Sequence, residues 1–126
     1  MPVSVGIDLV DIKRLRKVFE RHGERFKKRI FTDHEVNECE KRKRYDECYA
    51  ARFAAKEAFS KAMGTGMRRG VRFRDIEVIN LPSGKPVLRL YGRVKELAGD
   101  ASFDVSITHT EDFAIAVVVL FRGEDG

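Results

Sequence analysis

Tryptophan is absent from the 126 residues, and proline (three) and cysteine (two) are scarce. Two cysteines cannot staple a small secreted scaffold, and Cys39 and Cys48 lack the close Cys/His spacing of a zinc site, so both are expected to be reduced thiols. Long apolar runs are missing too. The longest, Phe113 to Phe121, is too short to span a bilayer, and Met1-Pro2-Val3 opens without the charged start, apolar middle and cleavage site of an export signal. The expectation is a soluble, cytoplasmic, single domain over residues 1–126, without repeats or low-complexity tracts. Charge, by contrast, is abundant: 36% of residues are charged against 43% apolar, with a net charge of +5. Either a hot-living source or a basic binding face produces such a surface.

Val3, Val5, Ile7 and Leu9 alternate with Ser4, Gly6, Asp8 and Val10, the period of a strand with one buried face, which projects Asp8 from the side opposite Ile7. Asp11 is placed to cap a helix carrying Ile12, Leu15, Val18 and Phe19 and ending before His22-Gly23. Between Asp11 and Ile30, nine Lys and Arg stand against three Asp and Glu, a local basic excess. Thr32 with Glu35 reads as a capping box opening a further short helix, followed by an exposed Lys41-Arg42-Lys43-Arg44 connection.

The strongest helix signal runs from Asp46 to Met63, with alanine at 50, 51, 54, 55, 58 and 62, and stops at Gly64. Strands are expected at Phe73–Ile79 and Val87–Leu90, joined through a Pro/Gly-containing turn, and a short helix at Arg93–Ala98. Residues 103–109 alternate and 113–121 are almost continuously apolar, predicting a hairpin whose last strand is covered on both faces by the long helix or by a second subunit. The fold class is therefore α+β, an antiparallel sheet packed on a long central helix.

Three places carry candidate chemistry. Asp8 stands in a strand beside Gly6, where a ligand or backbone can approach closely; an Asp bonding nearby amides gives the same sequence. Glu57 and Lys61 share one helix face, the spacing of a surface ion pair as much as of a site. Beside them Arg52, Lys56 and Ser60 form an i+4 row that, with loop amides at Gly64-Thr65-Gly66, suits a polyanion; no Walker loop is present. His109 ends a strand among apolar neighbours, where a lone histidine is more often structural than catalytic.

The combination is more specific than its parts. Gly6-Ile7-Asp8-Leu9-Val10-Asp11-Ile12-Lys13-Arg14, then Phe53 to Ala62 (FAAKEAFSKA) with Gly64-Thr65-Gly66, and Ser106-Ile107-Thr108-His109 closely resemble the small bacterial 4′-phosphopantetheinyl transferases of the holo-acyl-carrier-protein synthase type. Phe31-Thr32 with Glu35, Asp75-Ile76-Glu77 and Gly84-Lys85-Pro86 extend the resemblance along nearly the whole chain, while Met67–Gly70 and Gly123–Gly126 match no pattern.

The resemblance implies Mg²⁺-dependent transfer of 4′-phosphopantetheine from coenzyme A to a serine of apo acyl carrier protein in fatty acid biosynthesis, releasing adenosine 3′,5′-bisphosphate. It also implies a homotrimer with sites at subunit boundaries. On this chain Asp8 and Glu57 match the metal carboxylates and Lys61 the phosphate-contacting lysine; Glu57 acting through a metal-bound water or, second, His109 is the candidate base. His109 and Thr110 are expected to orient coenzyme A, Gly64, Thr65, Gly66, Lys85 and Pro86 to line it, and Arg52 to neutralise its phosphates. Arg14, Arg21 and Arg25 would hold the acidic carrier by charge. No helix-turn-helix, zinc-finger or aromatic RNA-binding pattern favours nucleic acid, and the competing reading is a non-catalytic basic module binding a nucleotide or nucleic acid.

Overall fold

A computed structural model describes residues 3–123, so the tail positions 124–126 lie outside the described residues. Strand β1 (Val3–Asp11) leads directly into helix α1 (Ile12–Ile30), followed by α2 (Asp33–Glu40) and α3 (Tyr45–Met63). A 3₁₀ turn (Phe73–Asp75), β2 (Ile76–Asn80), β3 (Pro86–Leu90), α4 (Gly92–Ala98), β4 (Ser102–His109) and β5 (Phe113–Phe121) complete the chain. β1, β5 and β4 form one antiparallel sheet in that order, and β2 pairs with β3 in a second. The α+β arrangement expected from the sequence, a sheet on a long helix, is the one observed.

α3 is the centre. Its alanines at 50, 54, 55, 58 and 62 are buried, and their small side chains let strand backbone come against the helix. At Gly6 this approach is closest: a Cβ there would collide with the Ala58 carbonyl oxygen and lie 2.6 Å from the Ala62 nitrogen. Ser4 adds a hydroxyl bond to the Ala62 carbonyl. Tyr49 and Phe59 are fully buried beside these alanines, with Phe31 and Phe19 packed edge-on against or tilted to Tyr49.

Some elements differ from the sequence expectation. α1 does not end at His22-Gly23; it turns there, with Gly23 at φ 55°, ψ −136°, and continues to Ile30. That backbone region is essentially reserved for glycine, so the residue read as a stop acts as a kink. The first residues of the expected strand at 73–79 form the 3₁₀ turn instead, since the carbonyl of Phe73 is drawn inward to Lys56. Cys39 and Cys48 are disulfide-bonded, not reduced, because the short connection returns α3 beside the last turn of α2, with Cα atoms 5.4 Å apart.

Only one face of β5 is covered within the chain. Ala114, Ala116, Val118 and Leu120 are buried against α3, whereas Ile115, Val117 and Val119 on the other face lie opposite Leu9, Ile7 and Val5 of β1. Val5, Ile7 and Leu9 are 59%, 60% and 56% exposed, so a broad apolar sheet face is left open. Among the described residues, no helix is long and apolar enough to cross a membrane.

The Gly6 contact yields a stability prediction. Gly6→Ala forces β1 off α3, and urea denaturation is expected to show a loss of about 3 kcal/mol, the upper range for overpacking. An unchanged midpoint would mean that β1 does not rest on α3 as described.

Candidate active site

The strand–helix contact at Gly6 places Asp8, two residues on and on the same side of β1, over the last turns of α3. There Lys61 Nζ lies 3.0 Å from Asp8 Oδ1 and donates to the Ile7 carbonyl at 3.0 Å. Lys61 thus pairs with the strand and not with Glu57, its i−4 neighbour on the helix, among the described ion pairs. Asp8, Glu57, Lys61 and Arg14 all line one open cavity of about 700 Å³ between β1, α1 and α3. Leu15, Val18, Phe26, Phe53 and Phe113 form its apolar walls.

Glu57 has its carboxyl pushed above the ordinary glutamate range, first by burial, then by the neighbouring Asp8 carboxylate, with Lys61 pulling the other way. Two carboxylates brought to one cavity from different elements, with Lys61 paired to Asp8 alone among the described ion pairs, repel each other when both are ionised. That is a donor set for a hard cation. Among the described residues no group of three or more His, Cys, Asp or Glu converges, so no closed protein cage exists. Mg²⁺ fits such a half-site, since it commonly takes one or two carboxylates and completes its shell with phosphate oxygens and water.

Arg14 reaches this cavity because Asp11 caps α1, its Oδ1 accepting from the Arg14 backbone N–H, which starts the helix immediately beside Asp8. Arg21 borders an adjoining recess with Arg14 and Lys17, and Arg25 is exposed beyond the kink. The three arginines therefore lie along one helix that flanks the cavity.

Other expected site residues are not brought to it within one chain. His109 stands at the opposite end of α3, its Nδ1 3.3 Å from Glu47 Oε1, and ten helical residues separate Glu47 from Glu57, about 15 Å. Thr110 is used locally, its hydroxyl accepting from the Asp112 and Phe113 backbone N–H groups. Lys85 and Pro86 border a separate recess with Asp104 and Ser106 at the sheet edge, where Lys85 pairs with Asp104 at 3.0 Å.

Two expectations about anion binding need correction. Gly64 and Gly66 do follow the helix, but their N–H groups donate to the Ser60 and Lys61 carbonyls, closing the helix end; they are not free amides for a phosphate. Gly64 adopts the left-handed conformation this cap requires, φ 81°. The row Arg52, Lys56 and Ser60 points inward, each residue 3% exposed or less. Arg52 donates to Asn80 Oδ1 at 2.8 Å and contacts Cys48 Sγ at 3.2 Å, while its Nε finds no partner among the described residues. An i+4 row on the side of a helix that faces the core is a buried row, and this one lies away from the Asp8 and Glu57 carboxylates.

Sequence reasoning missed the partner of that row. Glu35, read as a capping residue, does close the box with Thr32, but the same carboxylate is fully buried and binds Lys56. A glutamate serving an N-terminus next to Phe31 and ahead of Val36 offered that signal, since a capping box inside an apolar context is sunk into the core.

Comparison with known proteins places the whole chain in one family. The model of the 4′-phosphopantetheinyl transferase superfamily matches residues 4–118. A holo-[acyl-carrier-protein] synthase of Methylobacterium radiotolerans is 50% identical, covering 95% of this chain and 93% of that protein. Among solved structures, a holo-(acyl-carrier-protein) synthase from Bacillus anthracis in complex with CoA (3′,5′-ADP) is 39% identical with a TM-score of 0.81, covering 95% of this chain and 96% of that one. A synthase–CoA complex from Chronobacterium ammoniagenes is 32% identical with a TM-score of 0.86, covering 98% of this chain and 100% of that one.

The raised Glu57 carboxyl gives a pH prediction for the metal-free protein. A carboxyl whose folded pKa lies above its unfolded value binds its proton more tightly when folded, so its contribution to stability falls as pH rises from the ordinary glutamate range upward. Glu57→Gln is therefore expected to melt at or above the wild-type temperature near neutral pH in chelator, the difference shrinking in acid. A variant that melts lower at neutral pH would contradict the repulsion.

Proposed function

The chain belongs to the 4′-phosphopantetheinyl transferase superfamily, and from that membership we propose that it is a holo-acyl-carrier-protein synthase whose reaction is carried by Asp8, Glu57 and Lys61. It transfers 4′-phosphopantetheine from coenzyme A to a serine of apo acyl carrier protein and releases adenosine 3′,5′-bisphosphate. The observation that carries the assignment of residues is the convergence of these three side chains in one cavity, from a strand and a helix far apart in sequence.

Asp8 and Glu57 would hold Mg²⁺ against the diphosphate of coenzyme A. When bound, the ion supplies charge neutralisation at the diphosphate oxygens. The serine oxygen forms its bond to the phosphorus that bears pantetheine, and the bond from that phosphorus to the bridging oxygen breaks, leaving the electron pair on the nucleotide phosphate. Lys61, about half exposed and already within reach of Asp8, turns its ammonium to that departing phosphate. The serine proton passes by way of a water to Glu57, which lines the cavity beside Asp8 and Lys61. His109 of the same chain is too far to serve, since it lies at the far end of α3 from Glu57.

Distance also supports a role for a second copy. His109, Thr110, Lys85 and Pro86 are remote from the carboxylates of their own chain, and the apolar outer sheet face of β1 and β5 is uncovered. In a homotrimer joined through that face, the hairpin end of one copy would bring His109 and Thr110 to the nucleotide held by its neighbour. The basic α1 beside the cavity fits an acidic carrier, with Arg14 nearest the reacting groups. A cytoplasmic location goes with a reaction that draws on coenzyme A and fatty acid synthesis.

The test is to mix purified protein with coenzyme A, Mg²⁺ and apo acyl carrier protein and to weigh the carrier by mass spectrometry. One added phosphopantetheine, lost in chelator, is expected, with Asp8→Ala and Glu57→Ala each lowering the rate about a hundredfold or more. A carrier of unchanged mass with wild-type protein would leave the basic nucleotide-binding module as the better reading. Arg14→Glu is expected to raise the carrier KM about tenfold while the coenzyme A KM stays within a factor of about two. Equal damage to both constants would remove α1 from the docking surface.

A further inference from the structure

Lys56 precedes Glu57 in the chain yet takes no part in the chemistry above. Its Nζ donates to Glu35 Oε1 at 2.6 Å, to the Ile30 carbonyl at 2.8 Å and to the Phe73 carbonyl at 3.0 Å. All three ammonium hydrogens are thus engaged, and both charged side chains are 0% exposed. Glu35 in turn accepts from the Thr32 N–H at 2.9 Å and the Val78 N–H at 2.8 Å, so the pair joins α3 to the end of α1, the start of α2, the 3₁₀ turn and β2.

What Lys56 holds from behind faces the cavity in front. The ring of Phe73, whose carbonyl it binds, stacks on Phe53 with centroids 5.4 Å apart, and Phe53 meets Phe26 at 6.4 Å. Phe53 and Phe26, with Phe113, are the aromatic lining of the cavity that Glu57 shares. Phe26 lies in the second half of α1, between the Gly23 kink and Ile30, whose carbonyl Lys56 binds. Residues 23–30 therefore form a strap with a swivel at one end and a clamp at the other, carrying Phe26 toward the cavity and Arg25 toward solvent.

We propose that the Lys56–Glu35 pair is a positioning device for the transfer, holding the strap and the aromatic wall so that a carrier docked on α1 presents its serine beside Glu57. The inference rests on the transferase reading. Lys56 touches no reacting atom. The apolar contacts of Ile30 and Phe31 resist separation of α1 from α3 but are not directional, whereas three ammonium bonds to three different elements set one register. A buried ion pair is a poor source of net stability, and specification of one arrangement is the use left to it here.

The test uses the full chain with coenzyme A, Mg²⁺ and apo acyl carrier protein, both substrates varied, well below each variant's melting temperature. Lys56→Met combined with Glu35→Gln avoids leaving an unpaired buried charge. It is expected to lower kcat and raise the carrier KM, each about tenfold, with the coenzyme A KM and the Mg²⁺ requirement within a factor of about two. Gly23→Ala attacks the other end of the strap: a Cβ there meets nothing within 4 Å, so only the backbone turn is disturbed. The expected result is a raised carrier KM with an unchanged coenzyme A KM. A folded double variant with wild-type kcat and carrier KM would overturn the proposal however far its melting temperature fell, because that pattern marks a purely structural pair. If the double variant does not fold, Gly23→Ala decides, and an unchanged carrier KM overturns the strap. Absence of transfer by the wild type is a different failure, that of the transferase reading itself.

Discussion

Everything about the site depends on how closely β1 lies against α3. The absence of a side chain at Gly6 lets the strand backbone rest on the Ala58–Ala62 turn, and that contact sets the height at which Asp8 stands above Glu57 and Lys61. Without it, an acidic residue near the amino terminus and one in the middle of the chain would have no reason to share a cavity. The alanine-rich composition of α3 is thus a requirement of the site as well as of the core.

The same closeness has an electrostatic consequence. Burial and then the neighbouring Asp8 carboxylate leave Glu57 holding its proton more tightly than usual despite Lys61, a condition that a cation or a positively charged partner relieves. His109, Lys85 and the open apolar face of the sheet all lie elsewhere on the chain, the observations behind the proposal of a site shared between copies.

Much of this was legible in the sequence. Period-two alternation gave β1, although within the chain its Val3, Val5, Ile7 and Leu9 side faces outward and its Gly6 and Val10 side is the buried one; alternation over 103–109 and the apolar run 113–121 gave the β4–β5 hairpin, the alanine-rich stretch gave α3 to within a residue, and the Gly6–Asp8 and Glu57–Lys61 blocks named the side chains that share the cavity. Their family resemblance is matched by the similarity of the whole chain to its relatives. What periodicity could not supply was the environment of each face. Arg52 and Lys56 looked like surface cations because charge on a helix is usually solvated, but the side of α3 that carries them is turned into the core and is paired with Glu35 and Asn80. Gly23 looked like a terminator because the conformation that permits a kink is also the one that ends a helix. The glycines after Met63 looked like free amides because a cap and an anion nest have the same composition.

The most direct test of the shared cavity is to titrate the protein with Mn²⁺, as a paramagnetic stand-in for Mg²⁺, by electron paramagnetic resonance in the presence of coenzyme A. The account predicts one bound ion per chain, lost when either Asp8→Asn or Glu57→Gln is introduced although the two residues come from different elements. Undiminished Mn²⁺ binding in either variant would show that the two carboxylates do not grip one ion together, and the account of the site would fail.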